Sequence, residues 1–280
     1  LGDVYKRQYL ICMQGGPDMA NMTSSVSASQ VAGELASATF EEIPALVEHY
    51  REDPRQQVIK ACERALKRHA KELAERERVN GMYELMHELG GDGVVVGVDE
   101  VGRGSVAGPL TVCAVCLPME PRVWGINDSK KLTPARRELL SVKIAEVATA
   151  IGFCHIAPAD IDDMGMARAI RAAVAGAVAD TGLEPDCVLM DGNPLGAVPN
   201  ERDVVKGDAK IACIAAASIM AKVTRDEMMV EYDAEYPEYH LAESKGYASP
   251  EHIEAIRKHG LCPLHRVSFC GNFLQTERLF

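Results

Sequence analysis

The feature that most limits the fold of this chain is a short apolar run, Val94–Val98, that ends in two adjacent acids. A glycine-rich breaker at 90–93 precedes the run, the acids Asp99 and Glu100 follow it, and Gly-Arg-Gly stands at 102–104. A breaker followed by four valines in five residues predicts a buried strand. Charged side chains at the end of such a strand are typical of a ligand site at the edge of an α/β sheet.

The rest of the chain predicts an α/β fold built around a mixed sheet. Besides a first strand over Val94–Val101, strands are predicted over Leu110–Leu117, Ala150–Ala157, Cys187–Met190 and Asp203–Lys206. Helices are predicted over 133–147, 158–179, 211–236 and 250–260. Three consecutive strands followed by alternating helices and strands favour a mixed sheet flanked by helices.

The chain is predicted to have three parts. Residues 1–38 are expected to be poorly ordered or partly artefactual, because 20–38 is small and polar and the opening LGDVYKRQ resembles an assembly remnant. Residues 39–90 form a helical N-terminal extension, in which apolar side chains recur every three or four residues from Val58 through Leu66 to Leu73. Residues 91–280 form the α/β domain and a C-terminal helical segment.

Composition excludes some functions and leaves others open. The 280 residues carry a net charge of -11, which argues against a surface coated with phosphate-binding cations. Residues 55–78 nevertheless hold eight Lys or Arg against four Glu, a local balance of +4, so a solvated helix face and a nucleic-acid contact are both open interpretations. No apolar run reaches the ~20 residues of a membrane span, and we expect no secretory signal at the start, because the opening residues lack a basic segment followed by an apolar one.

The nine cysteines predict a reduced, cytoplasmic protein. They are scattered singly and mostly in apolar stretches, which is not the pattern of a disulfide framework. Cys113 and Cys116 form a CxxC, but they lie within a predicted strand and have no second pair. We therefore expect them in the core and not at a metal.

Four acids share one setting in the predicted fold: Asp99, Glu100, Asp191 and Asp208 each lie at or just after a strand end, close to a glycine. If the strands are neighbours, the carboxylates converge, and like charges at that distance raise each other's pKa or recruit cations. Oxygen ligands favour Mg²⁺ or Mn²⁺. Two such ions ~3.5–4 Å apart can bind a phosphodiester between them. Because adjacent strand residues point to opposite faces, either the strand bends after Glu100 or this longer side chain reaches around.

From about Val94 to Phe269 the chain resembles ribonuclease HII, the type 2 ribonuclease H family. The matching segments occur in the family's order: GVDEVGRG at 97–104, AGP at 107–109, NDSKKL at 127–132, MDG at 190–192, KGDAK at 206–210, IAAASIMAKVTRD at 214–226, KGYAS at 245–249 and LHRVSF at 264–269. The stretch HYREDPRQQV resembles, more loosely, the N-terminal extension of some bacterial members. One departure is Ser105-Val106 in place of the common Pro-Leu, which is expected to soften the turn without removing a ligand.

The resemblance implies a ribonuclease H-like fold with a five-stranded mixed sheet and an endonuclease that cuts the RNA strand of RNA–DNA hybrids. It also implies incision on the 5′ side of single ribonucleotides in duplex DNA, which leaves 3′-hydroxyl and 5′-phosphate ends. The family's metal-binding acids, which hold two Mn²⁺ or Mg²⁺ ions, fall on the four acids named above. Its Gly-Arg-Gly falls on Gly102, Arg103 and Gly104, and its junction-sensing tyrosine falls on Tyr247. We expect a monomer.

Supporting residues carry two interpretations each. Lys130 and Lys131 suit phosphate contacts or simple solvation, and Ser218 and Lys222 share a helix face that either meets the nucleic-acid backbone or is occupied locally. Asp226, next to Arg225, is expected on the surface or in an ion pair. His265 and Arg266 are expected to seat the C-terminal segment.

Three alternatives are weighed against this function. A dinucleotide site is disfavoured, because GRGSVAG lacks the GxGxxG spacing and the preceding acids would repel pyrophosphate. A type 3 ribonuclease H, restricted to RNA–DNA hybrids, has a β-rich N-terminal domain, whereas this N-terminus is predicted to be helical. A non-catalytic hybrid-binding protein would not need all four acids.

Overall fold

A computed structural model of the chain describes residues 26–274. The chain divides into two compact units, with the division between Ala74 and Glu75. The predicted N-terminal extension ends instead at residue 90. The difference arises because one helix continues to Gly90 and its last turns supply Val79 and Tyr83 to the core of the second unit.

The first unit is helical and contains α1 (Ala28–Ser37), α2 (Ile43–His49) and the first half of α3 (Gln56–Gly90). A capping box starts α1: the Ser27 hydroxyl accepts from the Gln30 N–H, and the Gln30 side chain accepts from the Ser27 N–H. The expectation of poor order is therefore wrong for 26–38, where the cap and a buried apolar face hold a helix. Residues 1–25, on which the same expectation falls, lie outside the described range.

The buried face of α3 in this unit differs from the predicted one. Val58, Ala61 and Ala65 are buried in the core of the unit, whereas Leu66 is 44% exposed. Alanine at i+3 and i+7 from Val58 lets neighbouring helices approach closely. The larger leucine, which carried the predicted periodicity, lies outside that contact.

The second unit is built on a five-stranded mixed sheet, as predicted. Its strands are β1 (Val95–Val101), β2 (Leu110–Cys116), β3 (Ala150–Ile156), β4 (Cys187–Asp191) and β5 (Glu201–Val204). The order across the sheet is β3-β2-β1-β4-β5. Strands β1, β2 and β3 pair antiparallel, while β4 runs parallel to both β1 and β5. The edge strand β5 begins two residues before its predicted start.

Helices cover both faces of the sheet. In chain order they are α4 (Pro134–Val147), α5 (Pro158–Met164), α6 (Met166–Asp180), α7 (Ala212–Glu235), α8 (Leu241–Ser244), α9 (Pro250–His259) and α10 (Val267–Cys270). The helix predicted over 158–179 is divided at Gly165, where φ is 78°. Among residues 26–274, none of the helices has the length and apolar character that crossing a bilayer requires.

The long helix α7 packs very closely on the central strand β1. A Cβ at Gly97 would stand 2.3 Å from the carbonyl carbon of Cys213, so only glycine permits this approach. On the other face of the sheet, α6 buries Ile170 and Val174 against β2 and β3. Cys113 and Cys116 are buried free thiols, which confirms their assignment to the core.

Candidate active site

The strand order brings three of the acids to one end of the sheet. Val98 of β1 pairs with Met190 of the parallel strand β4, so the residues that follow, Asp99 and Asp191, stand side by side. Asp208 lies in a 3₁₀ turn after β5 (Gly207–Ala209). The N–H of Gly207 donates to Asp191 Oδ1 at 2.6 Å, which ties this turn to β4.

Asp99 and Glu100 are adjacent residues of one strand, and the structure shows how both side chains are placed. Pairing between β1 and β2 continues without interruption to Val101, so Asp99 and Glu100 leave the strand on opposite faces. The longer Glu100 reaches back to the same end of the sheet, where its Oε1 lies 3.5 Å from the guanidinium of Arg103. Burial raises the pKa of Glu100, Arg103 opposes that shift, and the charge of Asp191 adds to it.

The electrostatics show that these carboxyl groups share one volume. Burial, together with the charges of Glu100 and Asp191, raises the pKa of Asp99 to about 8, although hydrogen bonds from Ser218 and from the Glu100 N–H oppose the shift. Burial also raises the pKa of Asp208, with added repulsion from Asp191. Asp99, Glu100 and Asp208 are therefore harder to ionise, first because they are buried and in addition because other acids are near.

Lys130 is the lysine that responds to this acid cluster, by which we mean Asp99, Glu100, Asp191 and Asp208. It belongs to a short 3₁₀ turn, Ser129–Lys131, in which the Lys130 N–H donates to the Asp128 carboxylate. Burial lowers the pKa of Lys130, but the surrounding carboxylates outweigh burial and the net shift is upward. The ammonium is thus held charged beside the cluster.

The chemistry of the acid cluster fits divalent cations. Within residues 26–274, no three His, Cys, Asp or Glu side chains are arranged as a finished set of metal ligands. The carboxylates are directed to donors of the chain, as with Asp191 on the Gly207 N–H and Glu100 on Arg103. The donor set is made of carboxylate oxygens, which Mg²⁺ and Mn²⁺ prefer, and its raised pKa values mark negative charge that a cation would relieve.

The two glycines of the Gly-Arg-Gly segment have different reasons to be glycine. Gly102 has a φ of 90°, and a Cβ there would stand 2.3 Å from Nε of Arg225. Gly104 has no atom of the chain within 4 Å of the place where its Cβ would stand. Packing therefore demands glycine at 102, whereas at 104 the missing side chain leaves the backbone open to a ligand. Between them, the Arg103 side chain is 60% exposed.

A fully buried arginine organises the loop that follows. Arg225 of α7 donates from Nε to the Pro109 carbonyl, from one terminal nitrogen to the Lys245 carbonyl, and from the other to Ser105 Oγ and the Ala107 carbonyl, at 2.7–3.0 Å. A second buried arginine, Arg266, donates to the carbonyls of Gly108 and Arg103. We call residues 102–109 with 245–247 the recognition loops. Their carbonyl groups are joined by these two guanidinium groups.

Ser105 strengthens the turn that it was expected to soften. Its hydroxyl donates to the Gly102 carbonyl at 2.9 Å and accepts from Arg225 at the same distance. Serine is therefore tied into the loop by two hydrogen bonds that proline cannot make.

Tyr247 lies beside the same arginine. Its ring is 40% exposed, and the Arg225 guanidinium carbon stands 5.7 Å from the ring centroid, within cation–π range. Val106 and Ala107 donate their N–H groups to the Gly246 carbonyl. The tyrosine is thus fixed relative to residues 102–109.

Two buried histidines connect Tyr247 to the C-terminal segment. The Cys262 N–H donates to Nδ1 of His265 at 3.0 Å, so the proton of a neutral His265 lies on Nε2, which is 3.1 Å from Nε2 of His252. His252 accepts there and donates from Nδ1 to the Tyr247 carbonyl at 2.9 Å. Burial and the neighbouring His252 lower the pKa of His265 to about 4, which keeps it neutral. The expected role of His265 and Arg266 in seating this segment is confirmed.

The remaining residues that were predicted to bind nucleic acid differ in their exposure and in their partners. Ser218 is only 2% exposed and its hydroxyl lies 2.9 Å from that of Ser129, so a direct contact with nucleic acid does not fit its burial. Lys222 Nζ is 2.7 Å from Asp226 Oδ1. Asp226 is thus in an ion pair, as expected, while its neighbour Arg225 turns into the core. Lys130 and Lys131 are exposed, and their phosphate contacts stay predictions.

Comparison with known families gives the same assignment for both units. The family model described as ribonuclease HII matches residues 96–272, and that of the ribonuclease HII N-terminal domain matches residues 27–89. The chain belongs to the ribonuclease HII family. It is 46% identical over 198 residues to the ribonuclease HII of Moorella thermoacetica, covering 70% of this chain and 96% of that protein. It is 39% identical over 257 residues to that of Acetivibrio thermocellus, covering 91% of this chain and 100% of that protein.

Two solved structures share the fold. The crystal structure of ribonuclease H2 from Pyrococcus horikoshii OT3 matches with a TM-score of 0.56 and 26% identity, over 65% of this chain and 99% of that chain. A structure of Bst-RNase HIII in complex with Mn²⁺ matches with a TM-score of 0.53 over 65% of this chain and 68% of that one; at 19% identity it supports the fold alone.

Membership of the ribonuclease HII family establishes the class of activity. The chain is a ribonuclease H, a hydrolase of RNA in RNA–DNA hybrids, and it belongs to a family whose enzymes depend on divalent metal ions. The dinucleotide-binding and non-catalytic alternatives are thereby set aside.

Proposed function

We propose that this ribonuclease HII incises duplex DNA on the 5′ side of a single embedded ribonucleotide, in addition to cutting the RNA strand of hybrids, and leaves 3′-hydroxyl and 5′-phosphate ends. The observation that carries the proposal is the acid cluster beside the recognition loops. The cluster supplies the ligands for phosphodiester hydrolysis. The loops supply a backbone surface for reading the sugar.

Asp99, Glu100, Asp191 and Asp208 would hold two divalent ions, Mn²⁺ or Mg²⁺. When bound, such a pair of ions activates water and stabilises the leaving oxygen of the phosphodiester. The chain's own contribution is to gather oxygen ligands that repel one another, so that ion binding releases the proton that the raised pKa of Asp99 retains below about pH 8. Lys130 holds positive charge beside the same site.

Gly104 and Arg103 would read the substrate strand. The 2′-hydroxyl is the group that distinguishes RNA from DNA, and backbone at Gly104 is open to it because no side chain covers that position. The exposed guanidinium of Arg103 can pair with a phosphate through its planar fork. A deoxynucleotide would leave the polar groups of the loop unpaired, which gives strong discrimination.

Tyr247 would stack at the junction between the ribonucleotide and the following DNA. Arg225 holds one side of its ring, and His252 holds its carbonyl. Lys130, Lys131 and Lys222 would contact phosphates, and Ser218 would position Asp99 through its hydroxyl and not touch the substrate. The eight cysteines within residues 26–274 are all free, which supports a reducing compartment such as the cytoplasm. A monomeric state stays a prediction.

Cleavage of a DNA duplex with one embedded ribonucleotide tests the proposal. The full chain is incubated with the labelled duplex in Mn²⁺, in Mg²⁺ or in chelator, beside an all-DNA duplex and a continuous RNA–DNA hybrid. We expect a single cut 5′ of the ribonucleotide that needs a divalent ion and leaves a 3′-hydroxyl, and no cut in the all-DNA duplex. Cleavage of the hybrid alone would instead favour a specificity like that of type 3 enzymes.

A further inference from the structure

We propose that an exposed row of four cations on α3, Lys60, Arg64, Lys67 and Lys71, binds the phosphate backbone of the substrate away from the cleaved bond. We call these residues the cationic row. The proposal rests on the chain's action on RNA–DNA hybrids and gives the helical N-terminal unit a part in substrate binding.

The four side chains share one narrow face of the helix. Their spacings of four, three and four residues keep them within an arc of about 60°, because an α-helix turns about 100° per residue. Eleven residues at ~1.5 Å each make the row about 16 Å long. All four residues are exposed. The row is therefore a straight line of positive charge and not a scattered set.

This face points away from the core of its own unit. The side chains that α3 buries there are Val58, Ala61 and Ala65, whose common direction lies more than a third of a turn from the row. The cations consequently have no packing role in the unit. Solubility requires only that such cations are exposed, and it does not require that they lie in a line.

Two arginines near the cationic row form bonds within this unit and so have a structural role. Arg55 forms a salt bridge with Asp53 at 2.5 Å, and Arg68 donates to the carbonyls of Leu35, Ala36 and Ala38. Over the described part of the chain, by contrast, no hydrogen bond or ion pair is formed by a side chain of the cationic row. Its charges are therefore available to an external anion.

The shape and setting of the row favour a linear polyanion. Duplex nucleic acid carries one negative charge per about 1.7 Å of axis, so a straight row can meet several phosphates at once. The chain as a whole carries a net charge of -11, which repels such a ligand and makes a local line of four cations more consequential. Ile59 and Leu66, which are 37% and 44% exposed, flank the row, but two apolar side chains form too narrow a face for a membrane surface.

The test compares the full chain with the variant K60Q/R64Q/K67Q/K71Q. Affinity for a long RNA–DNA hybrid is measured by fluorescence anisotropy in chelator, where cleavage is stopped, over a series of salt concentrations. Each lost phosphate contact lowers the slope of log Kd against log salt by about 0.9, so we expect a slope smaller by about 3 to 4 and, at low salt, about 10- to 100-fold weaker binding. In cleavage assays with a divalent ion, KM should rise while kcat stays unchanged.

Two controls separate the row from general charge and from folding. The variant K60R/R64K/K67R/K71R keeps the charges and should keep both affinity and slope. The variant K143Q/R168Q/R257Q/K258Q removes four exposed cations of the second unit and has the same net charge, -11 - 4 = -15. It should bind within about threefold of the wild-type chain, since a loss of net charge without lost phosphate contacts leaves the salt slope nearly unchanged.

A wild-type slope in the glutamine variant, or an equal loss in the second-unit control, would overturn the proposal. So would binding of the row to vesicles of anionic lipid with no change in hybrid affinity. Because the readout is hybrid binding, it is independent of whether single ribonucleotides are cleaved.

Discussion

The acid cluster and the recognition loops lie next to each other, yet they are stabilised in opposite ways. In the loops, Arg225 and Arg266 donate to six acceptor groups, and the backbone around Gly246 is bonded as well. In the cluster, burial and neighbouring carboxylates raise the pKa of Asp99 to about 8 and also raise those of Glu100 and Asp208. The recognition loops have their hydrogen bonds formed without a ligand. The acid cluster, by contrast, gains stability when a cation compensates its negative charge.

The difference indicates how the work is divided. Under the proposed function, sugar discrimination would need backbone groups at fixed positions, which the hydrogen bonds of the loops provide before a substrate arrives. Hydrolysis would need cations, and the acids that would bind them are gathered at a cost to the fold. Substitutions in the cluster should therefore lower activity without lowering stability, whereas substitutions in the loops should lower both.

The largest effect is expected for Asp99→Asn. Removing this proposed metal ligand should reduce cleavage of an RNA–DNA hybrid by at least ~10³-fold, because the divalent ions that would activate water would lose a carboxylate. The free energy of unfolding, measured in urea without divalent ions, should stay equal or rise, because a repulsive buried acid is gone. The exposed Asp160→Asn is the matched control and should keep activity. Near-normal turnover of the first variant would remove Asp99 from the metal site.

Arg225→Met should affect the loops most strongly. The substitution removes the donor of four acceptors, three of them in buried hydrogen bonds, which we expect to cost about 3 kcal/mol or more of unfolding free energy. Urea denaturation measures the loss, and hybrid cleavage should fall with it. Arg225→Lys, which restores one donor group, should recover part of the stability. Unchanged stability in the methionine variant would contradict the role of Arg225 in joining the loops.

Gly102→Ala and Gly104→Ala separate stability from recognition within one segment. Alanine at 102 must adopt a positive φ against Arg225, so we expect a loss of about 1–3 kcal/mol in unfolding free energy. Alanine at 104 has room, and its unfolding free energy should change by less than about 0.5 kcal/mol. Its kcat/KM on a ribonucleotide-containing duplex should nevertheless fall. Equal stability losses in the two variants would refute this distinction.

In pH profiles of stability, Asp99 of the acid cluster and His265, which is linked through His252 to the recognition loops, are expected to act with opposite sign. The raised pKa of Asp99, about 8, means that the folded state keeps a proton that the unfolded state releases near pH 4, so this group makes stability fall as pH rises from about 4 to 8. The lowered pKa of His265, about 4, means that the unfolded state takes up a proton below about 6.5, so stability falls as pH drops from 6.5 to 4.

Denaturation of the wild-type chain and of Asp99→Asn across this range checks both signs. The asparagine variant should lose the decline toward pH 8 and retain the decline toward pH 4. A variant profile that is parallel to the wild type throughout would show that Asp99 does not titrate as described.

Much of the fold and of the acid cluster could be predicted because the signals are local. The breaker before β1 and the acids directly after β1 and β4 are read from a few neighbouring residues. Few strand orders are compatible with these elements. The observed order brings Asp99 beside Asp191. A resemblance over several segments added the assignment of Tyr247.

The parts that the sequence did not reveal depend on partners far apart in the chain. Arg225 bonds to Pro109, 116 residues earlier, and no role was predicted for it from the sequence. Ser105 was expected to loosen a turn, because its partner Arg225 could not be foreseen. On α3, Ala61 was overlooked as a buried residue because periodicity was judged from larger side chains.

The most direct test of the account is calorimetric titration of Mn²⁺ into the full-length wild-type chain near pH 7, in two buffers of different ionisation enthalpy. If the acid cluster is completed by divalent ions, Mn²⁺ will bind with release of protons, and both binding and proton release will be strongly reduced in Asp99→Asn and unchanged in Asp160→Asn. Mn²⁺ binding that is as tight and as independent of buffer in Asp99→Asn as in the wild type would contradict the central claim that these four acids form the metal site.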